Sequence, residues 1–345
     1  MNLHFYNGNP RFGSGCHASI VWTTESADRV PTYLIDRRQL SSDGVPGIFY
    51  GERDRMKKRL LVVALVLSVA VSMVSCGGST TSAYAKTSKP KVASRCAIVE
   101  EMSTGKVVYS KNANSKTRPA SMEKMMIAIV ALENIKDLDV RVATDKRDYD
   151  YIKTLGPGNS TGFAIGEKAT MRDYLNGIMI WSKADAAMTV ARYCGGGSID
   201  RFIKMENAFA SKLGLKHTHF DNVIGFDSKG TYMTCSDYAK LLRYSMKNKE
   251  FKKMFTGKSY TIGPNNKRNK AKTVQHAELR IAGKNSLIKG GKRGYTEKAQ
   301  KTLAAYGKIN GKEYISITTE AKGTKNNSYP NFTDTEKMYN YIKSK

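Results

Sequence analysis

Two strand-like segments, "KTLAAYGKI" and "KEYISITTEA", flank Asn310-Gly311 and do most to restrict the folds open to this chain. Asn-Gly supplies the positive φ angles of a type I′ turn, so the pair reads as a tight β-hairpin. Near residue 100, "RCAIVEEMSTGKVVYSKNA" reads as two more strands, folding back around Ser103-Thr104-Gly105. Between these pairs the pattern is helical. "ASMEKMMIAIVALENI" follows Pro119 with apolar residues at helical spacing, which puts Ser121 at or near a helix start. "TMRDYLNGIMIW" and "ADAAMTVARYCGGG" read as two helices, the second stopped by glycines. "SIDRFIKMENAFASKLGL" has Ser198 as cap and Gly214 as stop; Thr234 to Asp237 forms a capping box before "YAKLLRYSMKN". "TDTEKMYNYIKSK" closes the chain with a helix. Strands at both ends and helices between them imply one α/β domain, an antiparallel sheet with packed helices.

The front of the chain follows a different logic. From Met56, Lys57-Lys58-Arg59 precede an apolar run from Leu60 to Val74, then small polar residues. A basic start, a short apolar run and small residues describe an export signal, and the run is short for a permanent span. Two processing sites compete. Ser75-Cys76-Gly77 resembles a lipoprotein box with Cys76 as the acylated residue, and is the preferred reading; Ala83-Tyr84-Ala85 resembles an ordinary cleavage site. Residues 1–55 show no sustained apolar period, and a signal belongs at a terminus. The expectation is therefore that Met56 is the true start and 1–55 a mis-called extension, the alternative being a genuine one. Residues 56–76 are then the signal, the Ser/Thr/Lys-rich stretch 77–94 a flexible tether, and 95–345 the folded domain.

Charge narrows the partners. The chain carries 57 Lys+Arg against 30 Asp+Glu, a net charge of +27. Such a balance favours anionic partners: nucleic acid, anionic lipid or an anionic cell-wall polymer. No zinc-finger spacing, aromatic ribonucleoprotein signature or Gly-rich phosphate loop is present, so nucleic acid is not expected. Cys16, Cys76, Cys96, Cys194 and Cys235 form no C-x-x-C pair, and His217-Thr218-His219 stands without further ligand spacing. It reads as a surface turn, and no metal or cofactor is expected.

Two short motifs carry chemistry. Ser121-Met122-Glu123-Lys124 is a Ser-x-x-Lys, and on a helix positions i and i+3 share a face. A lysine held there, partly desolvated and near other cations, can lose its proton and serve as base for the hydroxyl. The second motif, "GGKRGYTEKA", reads as a tight glycine turn and then a strand with Lys292 and Arg293 adjacent and Gly294 after them. Either it is a solvated basic strand or the carboxylate-binding edge of a site.

"RPASMEKMMIAIVALE" resembles the nucleophile segment of the serine D-alanyl-D-alanine carboxypeptidases, the low-molecular-weight penicillin-binding proteins. The resemblance continues, in the expected order, through "GFAIGEKATMRDYLNGIMIWSKADAAMTVARY", "MENAFASKLGLKHTHFDNVIGFDSKGTYMTCSDYAKLL" and "LIKGGKRGYTEKAQKTLAAY". It implies a β-lactamase/transpeptidase-like fold with a cleft between an all-helical part and the sheet. It implies Ser121 as acyl-accepting nucleophile, Lys124 as its base and Ser182 as proton relay. Lys292, Arg293 and Gly294 then hold the substrate's terminal carboxylate. The implied ligands are peptidoglycan stem peptides and β-lactam antibiotics, outside the cytoplasm, with the membrane reached through the signal or a lipid on Cys76. Two positions depart from the family. Its Ser-Gly-Asn-Asp is here Ser182-Lys183-Ala184-Asp185, and Arg293 stands where threonine is expected. The alternative to a working carboxypeptidase is thus a weakly active or inactive relative that binds cell-wall peptide or an anionic wall polymer. No Glu-x-x-Leu-Asn is present to support a β-lactamase.

Overall fold

Five strands build the central sheet in the computed structural model: β1 (Cys96–Glu101), β2 (Val107–Lys111), β7 (Ile288–Thr296), β8 (Gln300–Ile309) and β9 (Lys312–Ala321). Their order is β2-β1-β9-β8-β7, antiparallel at every pairing. The structure describes residues 88–155, 161–322 and 329–345, all within the unit Ser82–Lys345. Two small pairs lie apart from the sheet: β3 (Arg141–Ala143) with β4 (Lys168–Thr170), and β5 (Ser259–Ile262) with β6 (Lys272–Gln275). The hairpin turns are as expected. Asn310 and Gly311 have φ of 48° and 80°, and Gly105 has φ of 70°.

Both faces of the sheet are covered, and side chains alternate between them. Ile98, Ala304, Tyr306, Ile315 and Ile317 join the larger core. Val99, Leu303, Ala305 and Tyr314 join the smaller one with Phe332, Met338 and Tyr339 of α9 (Pro330–Lys343). The larger core is built around α1 (Lys124–Asn134), whose first eight residues are all buried. A helix apolar all round belongs in an interior, and each Met or Ile buried there contributes about 1.5–3 kcal/mol. Packed with it are α3 (Met171–Met179), α4 (Ala184–Cys194), α5 (Ile199–Lys212), α6 (Cys235–Ser245) and α7 (Lys249–Thr256). Two short helices, α2 (Lys146–Thr154) and α8 (Ala277–Ala282), sit beside α4 and β7. Starts are capped by side chains: Thr170 and Asp173 form a reciprocal capping box, and Ser198, Thr234 and Asn248 accept N–H groups of the first turn.

Two expectations change. Gly290 and Gly291 lie inside β7 rather than in a turn before it. A Cβ on Gly290 would come within 2.7 Å of Phe255 O, so the strand needs glycine there to pass α7. The end of the tether is also packed. Tyr109 Oη donates to Pro90 O, Lys111 Nζ to Val92 O and Ser94 O, and Ser94 N–H to Asp334 of α9. The stretches 1–55 and 56–76, Cys76 included, lie outside the described residues. Among the described residues no helix is long and apolar enough to cross a membrane.

Candidate active site

Ser121 sits on a single 3-10 turn, Ala120–Glu123, that runs directly into α1. Ala120 has φ of 47°, a left-handed conformation that costs a non-glycine residue roughly 1 kcal/mol or more. Its surroundings enforce it. A Cβ on Gly225 would lie 2.0 Å from Ala120 O, and one on Gly294 2.6 Å from Ser121 N. The turn is gripped between two backbones that approach closer than any side chain would permit. Thr302 Oγ1, from β8, donates to Pro119 O at 3.3 Å.

Lys124 is the first residue of α1, and only 2% of it is exposed. Its Nζ donates to Ile224 O at 2.6 Å and lies 3.2 Å from Ser121 Oγ. Burial pushes its pKa down to about 7; Lys292 pushes the same way, while Glu123 and Asp185 push back. A near-neutral lysine within hydrogen-bond reach of a hydroxyl can take that hydroxyl's proton. The carbonyl that orients it is itself held. Asn222 Oδ1 accepts the N–H groups of Ile224, Gly225 and Phe226, shaping a loop that Asp221 ties to Gly230 and Thr231.

The facing wall brings together residues far apart in the chain. Lys292 is wholly buried, and its Nζ donates to Ser182 Oγ at 2.9 Å. Ser182 has φ of 58°, which lifts it out of the helix that starts two residues later. Glu278 of α8 lies beneath this wall. Its Oε1 accepts the N–H of Arg293 at 3.1 Å and is 3.9 Å from Lys292 Nζ and from Arg293 Nε; His276 Nδ1 is 3.1 Å from its Oε2. Burial alone would raise the Glu278 carboxyl, but Lys292 and His276 hold it at about 2. Burial lowers Lys292 to about 8, with Glu278 opposing and Arg293 assisting. The Arg293 side chain is 38% exposed, with its guanidinium 5.5 Å from the centre of the Tyr329 ring. Lys301 Nζ lies 4.7 Å from the same ring.

These walls enclose a cleft of about 640 Å³, lined by Ser121, Trp181, Ser182, Phe226, Arg293 and Tyr295 among others. The model of the D-alanyl-D-alanine carboxypeptidase family matches residues 83–323. The chain belongs to that family. It is 30% identical over 278 residues to D-alanyl-D-alanine carboxypeptidase DacF of Bacillus subtilis, a match spanning 79% of this chain and 67% of the relative. It is 32% identical over 179 residues to a D-alanyl-D-alanine carboxypeptidase of Streptomyces, spanning 50% of this chain and 61% of the relative. The crystal structure of the Streptomyces K15 DD-transpeptidase superimposes with a TM-score of 0.67 at 28% identity, over 74% of this chain and 98% of that one.

The two positions that depart from the expected motifs of the carboxypeptidase family, Ala184 and Arg293, both lie at this cleft or at the helix beside it. Ala184 opens α4 as a buried methyl group, so no amide stands there. Asp185, the last residue of the same motif, is buried and accepts the N–H groups of Gly162 and Phe163, pinning that loop to α4. Lys183 turns away onto the Trp181 ring, 4.5 Å from its centre, and Lys272 lies 4.1 Å from it. Of the residues singled out from sequence, Ser121 meets Lys124, Ser182 meets Lys292, Gly294 backs onto Ser121, and Arg293 lines the cleft. Cys76 lies outside the described residues. Sequence reading passed over Asn222, Gly225, Glu278 and Tyr329. The Asn-x-x-Gly of "DNVIGF" was a usable turn signal; Glu278 resembles any helix-surface glutamate.

Proposed function

We propose that this chain is a D-alanyl-D-alanine carboxypeptidase acting on the stem peptides of peptidoglycan through an acyl-enzyme on Ser121. Neutral Lys124 takes the proton of Ser121 Oγ, which attacks the carbonyl of the penultimate D-alanine. The oxyanion gains the backbone N–H of Ser121 as a donor. The C–N bond breaks, and the leaving D-alanine nitrogen receives the proton carried by Lys124 through Ser182, whose hydroxyl Lys292 holds. Water then gives a proton to the again neutral Lys124 and attacks the ester; the acyl bond breaks and that proton returns to Ser121 Oγ. Lys292, Arg293 and the close-lying backbone at Gly294 receive the terminal carboxylate. The observation that carries this reading is the 3.2 Å approach of Lys124 Nζ to Ser121 Oγ, with the lysine brought to about 7 by burial.

A β-lactam mimics the substrate, so fluorescent penicillin should form a covalent adduct, visible as a mass increase, that Ser121→Ala abolishes. Labelling that survives in Ser121→Ala would place the nucleophile elsewhere. The buried methyl of Ala184 favours a second reading, a weakly active relative that binds wall peptide or anionic wall polymer. Loss of one amide hydrogen bond costs on the order of 1–3 kcal/mol, which slows catalysis without abolishing it. No labelling of the parent would favour that reading.

The same proposal places the protein outside the cytoplasm, exported by the segment 56–76 and attached through lipid on Cys76. Cys76→Ala should then release the protein from membranes or leave its signal uncleaved. Unchanged fractionation and maturation would point to processing after Ala85.

A further inference from the structure

Gly225 and Gly294 both press on the turn that bears Ser121. Two residues beyond each glycine stands a polar side chain, Asp227 after the first and Thr296 after the second. These two meet. Thr296 Oγ1 donates to Asp227 Oδ1 at 2.7 Å, and the Lys298 N–H donates to Asp227 Oδ2 at 3.2 Å. The hydroxyl is committed to that direction: it accepts the Ala299 N–H at 3.0 Å and has a single proton to give. Both oxygens of one carboxylate thus hold the turn between β7 and β8. The contacts close a ring that runs from the Ser121 turn to Gly225, Asp227, Thr296, Gly294 and back to the turn. Nothing in the sheet does this work. Gly294 lies on β7, the edge strand, and Gly225 on a loop, so among the described residues no strand pairing joins the two. The left-handed Ala120 persists only while its surroundings over-determine it, and that requires both glycines to stay in place.

We propose that the Asp227–Thr296 contact is a clasp that positions Ser121 for attack by keeping Gly225 and Gly294 closed on its turn. The proposal rests on Ser121 being the nucleophile. Asp227 and Thr296 are positioning residues, each acting through Ser121. With the clasp open, the loop and the edge strand part, Ala120 relaxes from its left-handed conformation, and Ser121 Oγ and N–H leave their places. The 3.2 Å approach to Lys124 is lost with them. Lys292 and Arg293 precede Gly294 on β7 and are held from beneath by Glu278, so the groups that receive the ligand stay where they are. The chemical step suffers and binding does not. Asp227 and Thr296 also line the cleft, both half-buried. Direct contact with the ligand would have the opposite signature, weaker binding at an unchanged chemical step.

The experiment labels the full chain with fluorescent penicillin over a range of concentrations, which separates the non-covalent dissociation constant from the acylation rate constant. Thr296→Val keeps the shape and removes the hydroxyl. Its acylation rate constant should fall about ten-fold or more, as expected for a lost hydrogen bond to a carboxylate, with the dissociation constant unchanged. Asp227→Ala should lose more, because the Lys298 N–H also goes free. Adding Thr296→Val to Asp227→Ala should cost nothing further, since the hydroxyl acts through that carboxylate. Thr296→Ser retains the hydroxyl and should recover most of the rate. A weakened dissociation constant at the parental rate would make these residues ligand contacts and overturn the proposal. So would parental rates in both single variants, or losses that add in the double variant. Should Asp227→Ala fail to fold, Thr296→Val against Thr296→Ser decides the matter. A parent that never labels would overturn the reading of Ser121 itself, and the clasp with it, before any variant is compared.

Discussion

A Cβ on Gly294 would lie 2.6 Å from the backbone nitrogen of Ser121 and 2.7 Å from the side chain of Ala120. Space, not backbone conformation, demands glycine here, because Gly294 is not among the positive-φ residues. Gly294→Ala must therefore push the turn that bears Ser121, the proposed nucleophile, away from β7 and move the Ser121 N–H. Misplacing one oxyanion donor costs about 10²-fold or more in rate. The expected outcome is that loss in the acylation rate constant, while near-native circular dichroism is kept. Acylation at the parental rate would show that the turn has room to yield.

The two lysines set a pH window. Lys124, at about 7, must be neutral to serve as the proposed base, so acylation should rise as pH climbs through that value. Lys292, at about 8, donates to Ser182 and is proposed to hold the substrate carboxylate as a cation, so acylation should fall as pH climbs through that value. The profile should be bell-shaped and narrow, with its maximum between the two. A profile flat from pH 6 to 9 would contradict these assignments.

Glu278 joins the two cations of β7 from beneath. Because its carboxylate raises Lys292, Glu278→Gln should lower the Lys292 pKa and pull the alkaline limb to lower pH. Stability should change as well. A carboxyl held at about 2 in the folded state, below its usual range, stabilises the fold above its unfolded value and loses that contribution as pH falls towards 2. Chemical denaturation between pH 6 and pH 3 should therefore show a shallower loss of stability for Glu278→Gln than for the parent.

Arg293 is proposed as a carboxylate ligand that replaces a hydroxyl with a charge. Its guanidinium is steadied by Tyr329 and remains partly exposed in the cleft. Arg293→Ala should weaken turnover of a D-Ala-D-Ala peptide by about 1.5–3 kcal/mol, the worth of a charge-assisted hydrogen bond. Arg293→Thr should lose activity too. A gain in Arg293→Thr, larger when combined with Ala184→Asn, would mean that the arginine obstructs the cleft.

The parts of this molecule that could be read in advance are those whose cause is local. The Asn310-Gly311 hairpin, the apolar run of α1 and the Ser198 and Thr234 caps each depend on residues within one turn of one another. Ser121 and Lys124 were legible for the same reason, standing one helical turn apart. β3 and β4 were not: Arg141-Val142-Ala143 and Lys168-Ala169-Thr170 are too short and polar to show alternation. The Lys292–Ser182 bond joins positions 110 residues apart, and only the family order of motifs linked them. Glu278 and Tyr329 escaped notice because what defines them is a neighbour, Arg293, that no pattern in their own segments announces.

Among the described residues β1 is the first strand and β9 the last, and Cys96 lies opposite Thr319. Ser94 bonds to Asp334 across 240 residues. The sheet therefore cannot close until nearly the whole chain is available, and closing so long a loop is paid before any contact rewards it. The turn bearing Ser121 lies inside that loop and depends on β7 and β8 for its grip. A chain that stops before β8 thus carries Ser121, Lys124, Ser182 and Lys292 without the scaffold that assembles them. Activity should arrive late and all at once, and a chain truncated before β8 should be as inert as one lacking the serine.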